Sequence, residues 1–170
     1  MATIKPYTYP SSTALTITLA SLATTSASPP VGRESTEVNQ GSALAGDVLI
    51  DGVITTGTSP TTGKTINLWA WGAGYDGSTV RRPAGATGSD AGLTPGTWWQ
   101  NVFVPIISID TDGTSNKAYS FAGISLLSKF GGLYLPVRWG LFVHHDTGVN
   151  LHATAGNHEI RATSLVGDIS

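Results

Sequence analysis

The chain has 170 residues, no cysteine and a formal net charge of −2. This length suits a single domain that buries its own core, and the lack of cysteine excludes a disulfide framework and thiolate metal sites. Charged residues make up only 12% of the chain, whereas ~25% is usual. Such a composition favours strands and turns, and a weakly charged surface suits packing against neighbouring proteins. The few Lys and Arg residues are scattered, so nothing indicates nucleic-acid binding.

Residues 1 to 12, "MATIKPYTYPSS", have two prolines, two tyrosines and no hydrophobic periodicity. They predict an extended arm, followed by a β-sandwich domain over residues 13 to 170. We expect Ile4, Tyr7 and Tyr9 to contact either the chain's own domain or a neighbouring subunit. The stretch after the arm alternates apolar residues with threonine, unlike a secretory signal, and no run approaches the ~18 apolar residues of a membrane helix. We therefore expect a soluble chain without a cleaved leader.

The rest of the chain is predicted to be all-β, because short alternating segments are separated by Gly, Pro and Asn. The predicted strands cover residues 15 to 19, 47 to 54, 65 to 72, 98 to 109, 117 to 123, 137 to 145, 150 to 154 and 158 to 163. Eight strands favour a jelly-roll-like β-sandwich. One short helix is expected at 124 to 130, where Gly131 and Gly132 provide the left-handed end.

The stretch "GTSPTTGKT", residues 57 to 65, resembles the phosphate loop of nucleotide-binding enzymes. Five residues separate its first glycine from Gly-Lys-Thr, where the motif has four. The residues after Lys64 alternate with period two, so no helix N-terminus follows to hold phosphates. We interpret the stretch as a turn between two strands, with Lys64 as a solvated loop lysine.

Residues 74 to 97 form the longest predicted loop and contain almost nothing apolar. Loops above ~15 residues in a compact domain are usually functional or disordered. We expect this loop to contact a partner, and its candidate contact residues are Tyr75, Arg81 and Arg82.

Two predicted strands are apolar on both faces. In "TINLWAWG" isoleucine and leucine share one face, whereas Trp69 and Trp71 share the other, and the segment 98 to 109, which begins with Trp98, is also two-sided. A sandwich strand normally shows one face to water, so the second face needs a cover. That cover is the loop and the arm, or a subunit interface that includes Trp98, or a sugar stacked on Trp69, Trp71 and Tyr75.

The histidines are candidates for a metal or acid–base site. His144 and His145 point to opposite faces of one strand, which leaves His144, His152 and His158 as metal candidates and a structural role as the alternative. The acidic stretch 110 to 117 lacks the glutamate that closes a calcium loop, so it predicts a plain turn. No Gly-x-Ser-x-Gly motif and no distinctive carboxylate pair occurs. The sequence therefore predicts neither an enzyme nor a bound cofactor.

From Arg33 onward, over roughly 130 residues, the chain resembles small structural proteins of tailed bacteriophages. The resemblance rests on "GRESTEVNQGSALAGDVLI", "TGTSPTTGKTINLWAWG", "SFAGISLLSKFGG" and "RWGLFVHHDTGVNLHATAGNHEIRA". It implies a virion component, either a capsid cement (decoration) protein or a tail-associated β-sandwich protein, and it carries no functional residues to transfer.

The resemblance and the composition together lead us to expect a cement protein on the outer surface of a phage head. Its partners would be the major capsid protein and further copies of itself, in a homotrimer that matches the threefold positions of a shell. Neither nucleic acid nor a membrane is expected as a partner, whereas a glycan stays possible. The alternatives are a tail, baseplate or fibre component, a carbohydrate-binding module with a Trp platform, and a small metal-dependent enzyme around the histidines.

Overall fold

Two antiparallel β-sheets pack against each other in the computed structural model, which describes residues 11–41 and 45–166. The strands are β1 (Thr13–Ala14), β2 (Gly32–Glu34), β3 (Val38–Asn39), β4 (Asp47–Thr55), β5 (Lys64–Tyr75), β6 (Val80–Arg81), β7 (Ala91–Leu93), β8 (Phe103–Thr111), β9 (Ala118–Ser125), β10 (Arg138–His145) and β11 (Glu159–Leu165). The helix α1 is Leu126–Lys129, and two 3-10 helices cover Trp99–Asn101 and Ala155–Asn157.

The first sheet has four strands in the order β1, β11, β4, β9. The second sheet has seven strands: the order is β6, β5, β10, β2, β7, while β8 also pairs with β5 and β3 with β10. The central pair β5 and β10 keeps one register from Arg138 opposite Ala73 to His145 opposite Ile66. This register fixes which residues of the two strands share a face.

The main core lies between the two sheets. It contains Ile50 and Ile54 from β4, Ile66 and Leu68 from β5, and Leu141 from β10, all of them buried. These residues occupy alternate positions of their strands, as the period-two geometry requires. Each buried side chain of this size contributes about 1.5–3 kcal/mol relative to an exposed one.

A second core, the outer core, lies on the opposite face of the second sheet. It consists of the buried rings of Trp71, Trp99, Phe103 and Phe142 together with Leu93. The rings of Trp99 and Phe103 meet edge to face with centroids 6.0 Å apart, an arrangement that adds about 0.5–1.5 kcal/mol beyond burial. Leu93 belongs to the long loop predicted from the sequence, so the chain covers this face itself.

The long loop between β5 and the first 3-10 helix is held to its own domain by two carboxylates. Glu34 is fully buried and accepts hydrogen bonds from the backbone N–H of Thr87 at 2.8 Å and from its hydroxyl at 2.5 Å. Asp90 accepts Arg33 Nε at 2.6 Å and the Thr18 N–H at 2.9 Å. Burial alone would raise the pKa of Asp90, but these hydrogen bonds lower it overall.

The predicted all-β sandwich with one short helix is confirmed. Six of the eight predicted segments contain a long strand, and the exceptions are 15 to 19 and 150 to 154. In these two segments Leu19 is buried, and Leu151 forms a single β-bridge to Thr56. The alternation there reflects packing into the core rather than pairing in a sheet.

The structure differs from the predicted strand count in a simple way. Within the described ranges it has eleven strands instead of eight, because β1, β2, β3, β6 and β7 are only two or three residues long and show no periodicity. The predicted strand at 98 to 109 begins only at Phe103, because Trp98 has a left-handed backbone and Trp99–Asn101 is a 3-10 helix.

Candidate functional site

An open groove, which we call the end groove, lies where β5 ends and β8 and β10 begin. Its volume is 670 Å³, within the range of ~300–1,000 Å³ typical of ligand-binding clefts. Tyr75, Val102, Tyr134 and Val137 line it with aromatic and aliphatic atoms, and Arg81 adds a charged side chain. The groove is therefore mainly apolar.

The segment 131 to 137, which follows α1, forms one wall of the end groove. Gly131 and Gly132 have φ values of 91° and 79° and turn the chain away from the helix, as the sequence predicts. Pro136 then packs on β5 at Gly72, where a Cβ atom would lie 2.6 Å from Pro136 Cγ. The absence of a side chain at Gly72 lets the wall approach the sheet closely.

Large apolar side chains around the end groove face solvent. Leu133 is 87% exposed, Tyr134 is 70% exposed and Trp98 is 76% exposed. Trp98 lies one turn before Val102, and its carbonyl oxygen accepts the N–H of Asn101 at 3.0 Å. Its φ of 68° is left-handed, which is unusual for a bulky residue. Leu133 and Tyr134 are therefore exposed apolar side chains in the segment that forms the groove wall, and Trp98 is an exposed aromatic residue shortly before β8.

Most charged side chains beside the end groove are paired. Glu37 accepts hydrogen bonds from Arg82 Nε and Arg138 Nη1, each at 2.7 Å. The guanidinium of Arg138 also lies over the ring of Tyr75, 5.1 Å from its centroid. Arg81 extends into solvent and forms only a long ion pair of 3.4 Å with an exposed aspartate. It therefore contributes an accessible positive charge to the groove.

The end groove unites three contact residues expected from the sequence, Tyr75, Arg81 and Arg82. Sequence reasoning missed Leu133 and Tyr134. Their signal is weak but present: two apolar side chains directly follow a Gly-Gly pair in a segment that shows no strand periodicity.

The structure does not form the tryptophan platform considered for a sugar. Trp71 has no exposed surface and belongs to the outer core, so its ring cannot stack on a ligand. Trp69 packs edge-on against Trp99, with ring centroids 4.5 Å apart. The long loop therefore provides the cover that the two-sided strand needs, and Trp71 is corrected from a contact residue to a core residue.

Of the three histidines considered for metal binding, His152 and His158 lie together but His144 lies apart from them. His158 Nε2 donates to the carbonyl oxygen of His152 at 2.8 Å, and its Nδ1 accepts the N–H of Thr55. Asn157 Nδ2 donates to His152 Nδ1 at 2.9 Å. His144 lies on the outer face of the second sheet, where burial and, to a smaller extent, the neighbouring histidine lower its pKa to about 4. These histidines have the structural surroundings that the alternative reading expects.

The acidic stretch 110 to 117 is a turn whose main carboxylate is already satisfied. Asp112 pairs with Lys117 and accepts a hydrogen bond from the hydroxyl of Tyr119 at 2.9 Å. The hydrogen bond from Lys117 is the largest cause of the lowered pKa of Asp112. Across residues 11–41 and 45–166, no three His, Cys, Asp or Glu side chains are grouped so that they could hold a metal ion.

The predicted contacts of Ile4, Tyr7 and Tyr9 lie outside the described residues and stay predictions. None of the helices in the described part of the chain has the length and apolar character needed to cross a membrane. Comparison with known proteins finds no matching family model, no matching curated protein and no matching solved structure.

Proposed function

We propose that the chain is a non-catalytic structural protein of a bacteriophage particle, which reinforces the head from outside by binding neighbouring proteins. The observation that carries this proposal is the exposure of Leu133 (87%) and Tyr134 (70%) in the segment that forms the wall of the end groove, with Trp98 as a further exposed aromatic residue before β8. Large exposed apolar patches mark protein–protein interaction sites or ligand-binding grooves.

Three further features support a role in assembly. The surface combines aromatic side chains with one accessible arginine, Arg81, and interface centres are enriched in these residue types. Charged residues are sparse over the whole chain, which lowers the desolvation cost of packing against neighbours. The sequence resemblance to phage structural proteins is the reason for proposing a phage particle as the location. We propose that the chain binds the capsid protein there as a homotrimer.

The test is the position of the chain on intact particles. We expect electron microscopy of phage carrying this chain to show it over the head lattice, and quantitative mass spectrometry to give a copy number that scales with the number of head subunits. A small copy number at the tail would instead identify a tail or fibre component, and complete absence from particles would refute the proposal.

The contact surface can be tested separately by cosedimentation of purified protein with isolated heads. Leu133→Ser should weaken binding at least tenfold, because it removes a large apolar side chain that is 87% exposed in the proposed contact surface. Val31→Ser is the matched control: Val31 is 49% exposed but precedes β2, which pairs with the far end of β10. Equal binding of both variants would show that the end of the molecule bearing the groove does not contact heads.

A further inference from the structure

We propose that the end groove binds the N-terminal segment, residues 4 to 10, of a second copy of the chain. Copies would then be linked by arms that each reach into a neighbour's groove. This second copy would cover part of the surface on which the proposed function rests. Trp98 and Leu133 do not line the groove and stay free to contact heads.

The direction of the first strand places the start of the arm at the correct end of the molecule. Thr13 lies opposite Ala162 in an antiparallel pair, so the residues before Thr13 run towards Leu165 at the end of β11. Leu165 lies opposite Asp47 of β4, whose carboxylate accepts the N–H of Leu127 in α1 at 2.9 Å. The helix α1 leads directly into the wall of the end groove. The arm therefore leaves the domain at the end that carries the groove.

The reach of the segment fits a contact between copies. Seven extended residues span about 23 Å at ~3.3 Å per residue. In the same copy, Gln40, Ala45 and Gly46 link the groove wall to the end of β11: Gln40 Nε2 donates to the Pro136 carbonyl at 3.4 Å, Gln40 Oε1 accepts the Ala45 N–H at 3.1 Å, and the Gly46 N–H donates to the Leu165 carbonyl at 2.8 Å. These three residues therefore lie between the end of β11, towards which the arm runs, and the groove of the same copy. The groove of a second copy is open to solvent and has no such barrier.

The composition of the segment fits the chemistry of the groove. "IKPYTYP" contains two prolines and two tyrosines among its seven residues, and proline-rich segments favour the extended polyproline II conformation, which loses little entropy on binding. Grooves lined with aromatic side chains recognise segments of this kind by packing prolines and apolar residues against the rings. Tyr75 and Tyr134 provide these rings, and the guanidinium of Arg81 in the groove lining supplies donors for the carbonyl oxygens that a polyproline II segment leaves unpaired.

Mass measurement in solution is the first test. The full chain should form oligomers at micromolar concentration by light scattering or native mass spectrometry. Deletion of residues 2 to 10 and the single change Tyr134→Ser should each give monomers, whereas Val31→Ser should leave the oligomer unchanged. A mixture of the deletion variant, which has only the groove, with Tyr134→Ser, which has only the arm, should form a heterodimer.

Peptide binding is the second test. A fluorescent peptide of residues 2 to 12 should bind the deletion variant saturably, and Tyr134→Ser introduced into that variant should weaken binding at least tenfold. The same peptide with serine at both tyrosines should not bind.

The proposed binding of one copy's arm to another copy's groove is overturned if the full chain is monomeric. It is also overturned if the oligomer persists after deletion of residues 2 to 10. Peptide binding that is indifferent to Tyr134→Ser overturns the assignment of the groove. Peptide binding to the groove together with a monomeric full chain would show that each arm occupies its own groove, which also overturns the proposal. None of these results depends on heads: the proposed function fails only if the chain is absent from particles, whatever its oligomeric state.

Discussion

At position 98 the backbone has a conformation that a tryptophan side chain does not favour. The residue has a φ of 68° and begins a 3-10 helix without a side-chain cap. Asparagine suits both conditions, since it tolerates the left-handed region and is a favoured N-cap. A tryptophan that is 76% exposed gains almost no burial in return. Unfavourable local geometry at an exposed aromatic residue is typical of a residue retained for contact with a partner.

We therefore predict that Trp98→Asn raises the free energy of unfolding by about 0.5–1 kcal/mol while weakening binding to heads. Urea unfolding and cosedimentation, measured on the same preparation, check the two effects. Val31→Asn should change neither quantity. A Trp98→Asn protein that is clearly less stable than the parent would show that the ring is part of the fold.

His144 links stability to pH. Its ring packs against Phe142 and Trp99, with centroids 5.6 Å and 6.0 Å away, and its Nε2 atom is buried without a hydrogen-bond partner. Burial lowers its pKa to about 4 in the folded chain, whereas an unfolded histidine titrates at about 6.5. Between these values the unfolded chain binds more protons, so the free energy of unfolding falls as the pH drops from 6.5 to 4. His145 and His158, whose pKa values burial also lowers, act in the same direction.

The predicted effect of His144→Phe is a smaller loss of stability between pH 7 and pH 4.5, because one of the three contributing groups no longer titrates. At pH 7 the variant should be as stable as the parent or more stable by about 1 kcal/mol, since a buried nitrogen without a partner is removed. Urea unfolding at several pH values checks both statements, with Val31→Ser, which changes no titratable group, as the control. An unchanged pH dependence would mean that His144 is solvated in the folded chain.

At the scale of elements, the long loop and the outer core depend on each other. Glu34 holds the loop through Thr87, and the loop covers the tryptophans of β5. Glu34→Ala should cost about 3 kcal/mol, because it removes hydrogen bonds to a buried carboxylate and leaves their donors unpaired. We also expect faster protease cleavage within residues 76 to 97 and binding of a hydrophobic dye.

The control for this prediction is Glu159→Ala. Glu159 forms an exposed ion pair with Arg161 on the outside of β11, and such pairs contribute ~0–1 kcal/mol. If Glu34→Ala leaves protease sensitivity unchanged, other contacts of the loop are sufficient to hold it.

The long strands and their faces could be predicted from the sequence, because the period-two alternation of a strand determines which side chains share a face. That rule alone places His144 and His145 on opposite faces of β10. It also places Trp69 and Trp71 on the face of β5 that points away from the main core. The loop cover was not predictable in the same way. It depends on Glu34 meeting Thr87, a contact between residues 53 positions apart that leaves no periodic trace.

The end groove was predictable only in part. Tyr75 and Arg81 were singled out by their loop, but the opposite wall comes from a different segment, and only the packing of Pro136 on Gly72 brings the two together. The backbone of Trp98 also escaped prediction, because two adjacent tryptophans before an apolar run look like the start of a strand.

For the whole molecule, we predict that the fold does not need residues 2 to 10, because both cores are built from residues 13 to 166. The deletion variant should keep its near-ultraviolet circular dichroism and unfold in one transition whose Tm is independent of protein concentration. The full chain should show a Tm that rises with concentration, because arm exchange couples folding to association. Loss of the cooperative transition in the deletion variant would show instead that the arm belongs to the core.

The two-sided burial of β5 also has a consequence during synthesis. Of its partners in the sheet, β8 begins 28 positions after β5 ends, and β10 ends only at His145. The pairing of β5 with β10 can therefore form only after most of the chain has been made. Products that end before Arg138 lack β10 and leave one edge of β5 and parts of both cores uncovered, so incomplete chains are expected to aggregate more than complete ones.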